Sequence, residues 1–143
     1  MAIQTKIYNG SACKVSVDGT DFCIQQPRPF NKMWYSKFNG PGLQYEVAIS
    51  IQGGYIVWIN GPFFCRSWPD IKIFRERLIH ALPQGEKPET DMGYNGEPTK
   101  IDLPDENIFD SNTQRKAKAL VQSRHETCNR RFKQWNSLSL IFR

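Results

Sequence analysis

The pattern of apolar and polar residues predicts three β-strands in the first half of the chain. Residues 12–18, ACKVSVD, show the two-residue period of a strand. Residues 43–51, LQYEVAISI, and 55–61, YIVWING, are rich in the β-branched and aromatic side chains that favour strands. The QGG turn at 52–54 is expected to join the last two strands into a hairpin.

Two helices are predicted in the second half of the chain. Residues 67–82, SWPDIKIFRERLIHAL, form the first, whose apolar residues recur at a spacing of three and four. Residues 112–135 form the second, with Asn112 or Thr113 as its N-terminal cap. A short strand is expected at about 86–91. The segment 95–112 is rich in proline, glycine and asparagine, which favours a loop.

This order of elements predicts an α/β fold, with a mixed sheet and helices packed on it. A right-handed crossover through the first helix can place the fourth strand beside the first. The chain has 143 residues, of which 39% are hydrophobic, and no internal repeat or linker is visible. We therefore expect one domain spanning residues 1–143.

Charge and cysteine content narrow the class of protein. The net charge of +5 favours an anionic partner, with nucleic acid first, although a mildly basic protein without such a partner has the same charge. His125 and Cys128 form an H-x-x-C pair, but the other three cysteines supply no matching pair, so a zinc site is not expected. The N-terminus lacks the apolar core of a signal peptide, which favours an intracellular protein.

Two aspartates stand beside glycines at predicted strand ends. Asp18 precedes Gly19 in VDGT, and Asp91 comes two residues before Gly93 in DMGYNG. Aspartate and glycine are turn formers, so turns alone explain both positions. A metal site is the alternative, and it requires a third carboxylate.

Glu126, in SRHETCNRRFKQW, is the candidate third acid. A helix crossing the sheet could bring Glu126 over the two strand ends, where three carboxylates would repel one another without a cation. Hard divalent ions such as Mg²⁺ prefer these ligands, and two ions about 3.5–4 Å apart stabilise an in-line phosphoryl displacement. Four residues share the side of the helix that carries Glu126, where they either hold phosphates or form a solvated face: Gln122, Asn129, Arg130 and Lys133.

A basic loop near residues 27–32 is a second candidate for contact with the DNA backbone, with a solvated loop as the equal alternative. Its cationic residues are Arg28, Lys32 and Lys37. Trp34 and Tyr35 lie among these cations and are candidates for base stacking, against the alternative of core packing.

Four ordered blocks, over about residues 12–143, resemble those of the DDE transposases of the PIF/Harbinger group and their relatives. They are VDGT, the aspartate in SWPDIKIFR, DMGYNG and RHETCNRRFKQW, and residues 35–63 also look like the family's stretch between the first two blocks. The resemblance implies a ribonuclease H-like fold and a catalytic triad of Asp18, Asp91 and Glu126. The implied activity is DNA cleavage and joining with Mg²⁺ or Mn²⁺: water cuts at the transposon end, and the freed 3′-hydroxyl attacks target DNA.

The chain departs from the family pattern at two places. Pro69 precedes Asp70 where the family usually has histidine, so Asp70 is either an accessory residue or an acid favoured by the helix dipole. Only 17 residues precede Asp18, so we expect the N-terminal DNA-binding region to be absent. This leaves open a separate DNA-binding subunit and a homo-oligomer.

The expected partners are transposon ends and target DNA, with no membrane. The expected location is the nucleus in a eukaryote and otherwise the cytoplasm. A transposase-derived protein that binds DNA without cutting it, and a protein-interaction scaffold, are the alternatives.

Overall fold

An antiparallel three-stranded sheet is the centre of the molecule. The computed structural model describes residues 14–37, 40–102 and 112–135. Within them the strands, in sheet order, are β1 (Val15–Cys23), β2 (Gly42–Ser50) and β3 (Ile56–Phe64). The three predicted strands and the hairpin between β2 and β3 are confirmed. Strand β1 runs beyond the predicted end because its pairing with β2 continues to Cys23.

The chain returns to β1 after the first helix, in the parallel direction. Ser16 and Glu89 form a parallel bridge. In it the Val17 amide donates to the Glu89 carbonyl at 2.8 Å, and the Glu89 amide donates to the Val15 carbonyl at 2.9 Å. A second parallel bridge joins Glu89 to Asp102. The fourth segment therefore lies beside β1 as the crossover predicted, although it forms isolated bridges and not a strand.

The first predicted helix is confirmed between residues 70 and 81. It consists of an α-helical turn (Asp70–Ile73), a π-helical turn (Phe74–Leu78) and a further α-helical turn (Ile79–Ala81), which we name together α1. Its apolar side chains form the main core with two strand residues and two residues that follow the helix: Val17, Ala48, Phe74, Leu78, Tyr94 and Ile101. This packing holds α1 on one face of the sheet.

The second helix, α2 (Asn112–Phe132), lies against the opposite face. Buried Val121 packs with Ile51, and the ring of Phe132 meets that of Phe22 with centroids 6.0 Å apart. Successive strand side chains point to opposite faces, so Val17 faces α1 and Asp18 faces α2. The helix predicted at 112–135 is confirmed between Asn112 and Phe132. Half of the predicted 95–112 loop lies outside the described residues, and residues 95–101 contain no helix or strand.

Candidate active site

The prediction that Asp18 lies at a strand end is wrong: it lies within β1, opposite Val47 of β2, because the pairing continues to Cys23. Asp18 is half-buried. One carboxylate oxygen accepts a hydrogen bond from the Gly19 amide at 2.8 Å, and the other accepts from the Asn129 side chain at 3.4 Å. The contact with Asn129 links the strand to α2. Asp18 is therefore held from two directions, and it lies on the sheet face that α2 covers.

Asp91 follows the parallel bridge of Glu89 and begins a short 3-10 turn, Met92–Tyr94. Its carboxylate accepts a hydrogen bond from the Gly93 amide at 2.8 Å. The turn interpretation of the sequence is thus correct for Asp91, because the side chain caps the turn. Because the segment pairs with β1 at Glu89, it also brings Asp91 next to the strand that carries Asp18.

The three acids of the predicted triad line one cavity of about 210 Å³. Asp18 comes from β1, Asp91 from the returning segment and Glu126 from α2, beside Gln122 and His125. Three separate elements therefore contribute carboxylates to the same space. In the described part of the chain, however, no three His, Cys, Asp or Glu side chains are close enough together to hold a metal ion as they stand.

The electrostatics of the cavity show the cost of assembling these acids. Burial and, secondly, the charge of Asp91 raise the pKa of Asp18 from its ordinary 3.8 to about 6. The Gly19 amide and Lys37 act in the opposite direction, and Asp70 adds to the increase. A cation in this cavity would favour the ionised form of Asp18, as an opposite charge does for any buried carboxylate.

Asp70 also reaches this group of acids. It is the first residue of α1, and its side chain accepts a hydrogen bond from Gln44 at 2.5 Å. Burial and then Asp91 raise its pKa, while Lys37 lowers it. Asp70, Asp18, Asp91 and Lys37 all line a second cavity, of about 290 Å³. Asp70 is therefore at the start of a helix, and it also lies beside the candidate triad.

Glu46 on β2 is a buried polar residue that the sequence pattern did not identify as part of the site. Glu46 is 1% exposed, and its Oε1 atom accepts a hydrogen bond from the Trp58 indole at 3.2 Å. Burial raises the pKa of Glu46 from 4.5 to about 7, against the effect of the Trp58 hydrogen bond. Tyr94 is fully buried, and burial, followed by the charge of Glu46, raises its pKa well above the ordinary value. The polar positions alternating along LQYEV were the available signal.

His125 is a second residue whose role the sequence did not indicate. It lines the first cavity and is only 3% exposed. Neither ring nitrogen has a hydrogen-bond partner of good geometry among the described residues, although the nearby Ser16 main chain partly offsets the lowering of the His125 pKa by burial. Cys128, its partner in the H-x-x-C pair, is half-buried, and burial raises its pKa.

The predicted DNA-binding residues fall into different environments. Arg130 and Lys133 are exposed at the end of α2, and Arg28 and Lys32 are exposed on the loop after β1. Asn129 donates to Asp18. Lys37 lines the acidic second cavity.

The two aromatic side chains considered for base stacking contact other rings. Trp34 meets Phe64 with centroids 4.4 Å apart, and Tyr35 meets Phe30 at 5.7 Å. Both Trp34 and Tyr35 are half-buried. These contacts match the alternative of packing within the protein.

No helix among the described residues is long and apolar enough to cross a membrane. Comparisons with protein-family models, with curated proteins and with solved structures find no match to this chain. The resemblance to DDE transposases therefore depends on the sequence blocks, and the function is inferred from the residues of the two cavities.

Proposed function

We propose that this chain is the catalytic core of a DNA transposase, or of a nuclease derived from one, that cleaves and joins DNA strands with divalent cations. The observation that carries the proposal is the shared cavity of Asp18, Asp91 and Glu126, which come from three separate elements. Asp18 is half-buried with a raised pKa, and it shares the cavity with the exposed residues Asp91 and Glu126. A carboxyl group in a cleft whose pKa is raised by burial and by a neighbouring charge is typical of functional sites.

A ribonuclease H-like arrangement is part of this proposal. Across the sheet, the order is the segment at Asp102, the segment at Glu89, β1, β2 and β3. The pairing is parallel on one side of β1 and antiparallel on the other. Helices α1 and α2 cover opposite faces. The order supports the proposal because it sets Asp18 and Asp91 on neighbouring segments.

The donor set fits Mg²⁺ or Mn²⁺, because carboxylate oxygens are the ligands that these hard cations prefer. Asp18, Asp91 and Glu126 would hold the cations, which requires the three carboxylates to lie closer together than they do in this structure. Bound there, the cations would stabilise the attacking and leaving oxygens of an in-line phosphoryl displacement. Asn129 positions Asp18 through its hydrogen bond of 3.4 Å. Exposed Arg130 near the end of the same helix and exposed Lys133 just beyond it would hold the DNA backbone.

A transposase-derived protein that binds DNA without cutting it is the second candidate. The observation in its favour is that the described acids lie around the cavity without forming a closed set of metal ligands. This candidate requires the basic residues of α2 and does not require the acids.

Nicking of supercoiled plasmid DNA distinguishes the two functions. The wild-type chain should nick with Mg²⁺ or Mn²⁺ and stop in EDTA, while Asp91→Asn should not nick under any condition. Asparagine keeps an oxygen that can accept the Gly93 hydrogen bond, so circular dichroism should be unchanged. Glu76→Gln, on the exposed surface of α1, is the matched control and should nick normally. DNA binding without nicking would favour the second candidate, and equal nicking by wild type and Asp91→Asn would contradict the role of the triad.

A further inference from the structure

Two glycines next to the predicted triad leave space for the carboxylate of Asp70. A Cβ atom on Gly19 would lie 2.5 Å from Oδ1 of Asp70, and a Cβ atom on Gly93 would lie 2.9 Å from Oδ2. Neither glycine is among the positive-φ glycines of the described chain. The backbone therefore does not require glycine at either position, whereas a larger residue at either one would force the Asp70 carboxylate to move.

The same geometry brings Asp70 to Asp91. The Cβ position of Gly93 lies 2.9 Å from Oδ2 of Asp70 and 3.0 Å from Oδ1 of Asp91, so both carboxylates approach a single point. Gln44 holds the other oxygen of Asp70 at 2.5 Å. One oxygen of Asp70 is thus anchored to β2, and the other faces the acids.

A role limited to the start of the helix does not account for this placement. An acid in the first turn of a helix is stabilised by the helix dipole wherever its carboxylate remains near the free amides. It needs neither a hydrogen bond across to β2 nor two glycines that admit it beside a second aspartate. Bringing like charges together costs free energy unless a cation lies between them.

A separate observation indicates that the site takes a polar ligand. His125 lines the adjoining cavity that contains Asp18, Asp91 and Glu126. It is 3% exposed, and neither nitrogen has a hydrogen-bond partner of good geometry among the described residues, the Ser16 main chain being nearby. Buried polar atoms are rarely left without partners, so a bound group or water is expected in this cavity.

We propose that Asp70 is a fourth carboxylate of the cation site, on the side of Asp18 and Asp91 away from Glu126, and that Gly19 and Gly93 are glycines because they admit it. This inference rests on the proposed function, since it concerns the same divalent cations. Asp70 acts with Asp91 on the cation, and its bond to Gln44 fixes the direction of its second oxygen.

Isothermal titration of the full chain with Mn²⁺ tests the proposal without any measurement of activity. Asp70→Asn keeps an oxygen for Gln44 and removes the charge, and it should weaken Mn²⁺ binding by about tenfold or more. Asp21→Asn is the matched control: Asp21 lines the same cavity, but its charge acts on Asp70 more weakly than those of Asp91 and Lys37, so its loss should change affinity by less than about threefold.

Equal affinity of wild type and Asp70→Asn, with binding lost in Asp91→Asn, would overturn this inference alone. An equal loss in Asp70→Asn and Asp21→Asn would overturn it as well, because any nearby charge would then suffice. Absence of Mn²⁺ binding by the wild-type chain would overturn the proposed function, and this inference with it.

Thermal unfolding provides a second measurement that does not depend on fitted affinities. Without Mn²⁺, Asp70→Asn should raise the melting temperature, because it relieves repulsion with Asp91. With Mn²⁺, the increase that the ion produces should be smaller than in the wild type. A lower melting temperature without Mn²⁺, together with an unchanged increase on adding it, would show that Asp70 has a structural role only.

Gly19→Ala should lower the melting temperature, and adding Asp70→Ala should restore it without restoring Mn²⁺ binding, because the new Cβ then meets no carboxylate.

Discussion

Glu46 should make the stability of this protein depend on pH, and Glu46→Gln should remove that dependence. The carboxyl group is 1% exposed, and burial raises its pKa from 4.5 to about 7. The folded protein then binds a proton more tightly than the unfolded chain, so the free energy of unfolding falls as pH rises from 4.5 through about 7. Because a tenfold change in proton affinity is worth about 1.4 kcal/mol, the loss at about pH 8 is of the order of 3 kcal/mol.

Urea denaturation near pH 4.5 and near pH 8, without divalent cations, measures this effect. Glutamine keeps an oxygen that can accept the Trp58 hydrogen bond, and its cost as a buried amide is the same at both pH values. The difference between the two pH values should therefore be smaller in Glu46→Gln than in the wild type by about 2–3 kcal/mol. The control variant Glu76→Gln, exposed on α1, should leave the wild-type difference unchanged within about 0.5 kcal/mol. An equal pH dependence in wild type and Glu46→Gln would refute the argument, since the buried carboxyl group would then contribute nothing.

Two further predictions concern the core and the basic end of α2. Phe74→Ala removes a fully buried ring between α1 and the sheet and should lower the free energy of unfolding by about 3–5 kcal/mol in a urea titration. The control Val57→Ala, on an exposed part of β3, should lower it by less than about 1 kcal/mol in the same titration. Arg130→Ala combined with Lys133→Ala should weaken binding to duplex DNA equally for all sequences and reduce the log–log salt slope by about two, and an unchanged slope in fluorescence anisotropy titrations would show that these residues do not contact phosphates.

Much of the fold follows from periodicity in the sequence. The two-residue alternation predicts β1, and the content of β-branched and aromatic residues predicts β2 and β3. The spacing of three and four predicts α1, because burial of one face is what forms such a helix. The crossover rule also predicts the return of the chain beside β1, where Glu89 pairs with Ser16. The π-helical turn at Phe74–Leu78 was not predicted, because its apolar spacing fits an ordinary α-helix equally well.

The candidate site is less visible in the sequence than the fold. Polar residues alternating along a strand usually mark a solvated face, yet Gln44 and Glu46 point toward α1 and are buried there. The residues around Gln44 and Glu46 include Asp70 and Tyr94, which are distant from them in the sequence. Pairs such as Asp18–Gly19 are equally well explained by a turn, and only the three-dimensional arrangement shows what each glycine faces.

Asp18 and Asp91 differ in how firmly their segments are attached to the sheet, because the segment that leads to Asp91 forms only isolated bridges beside β1 in the described part of the chain. Asp18 belongs to a nine-residue strand, while the segment leading to Asp91 is joined to its neighbours through main-chain hydrogen bonds at Val17, Glu89, Thr90 and Asp102. Segments with few such bonds open locally at a lower free energy than a core strand, and amide hydrogen exchange reports the difference. Faster exchange of the Thr90 and Asp102 amides than of the amides that pair β1 with β2 would show that Asp91 can leave Asp18 while the sheet remains folded. Burial of Tyr94 in the main core, three residues after Asp91, opposes that movement.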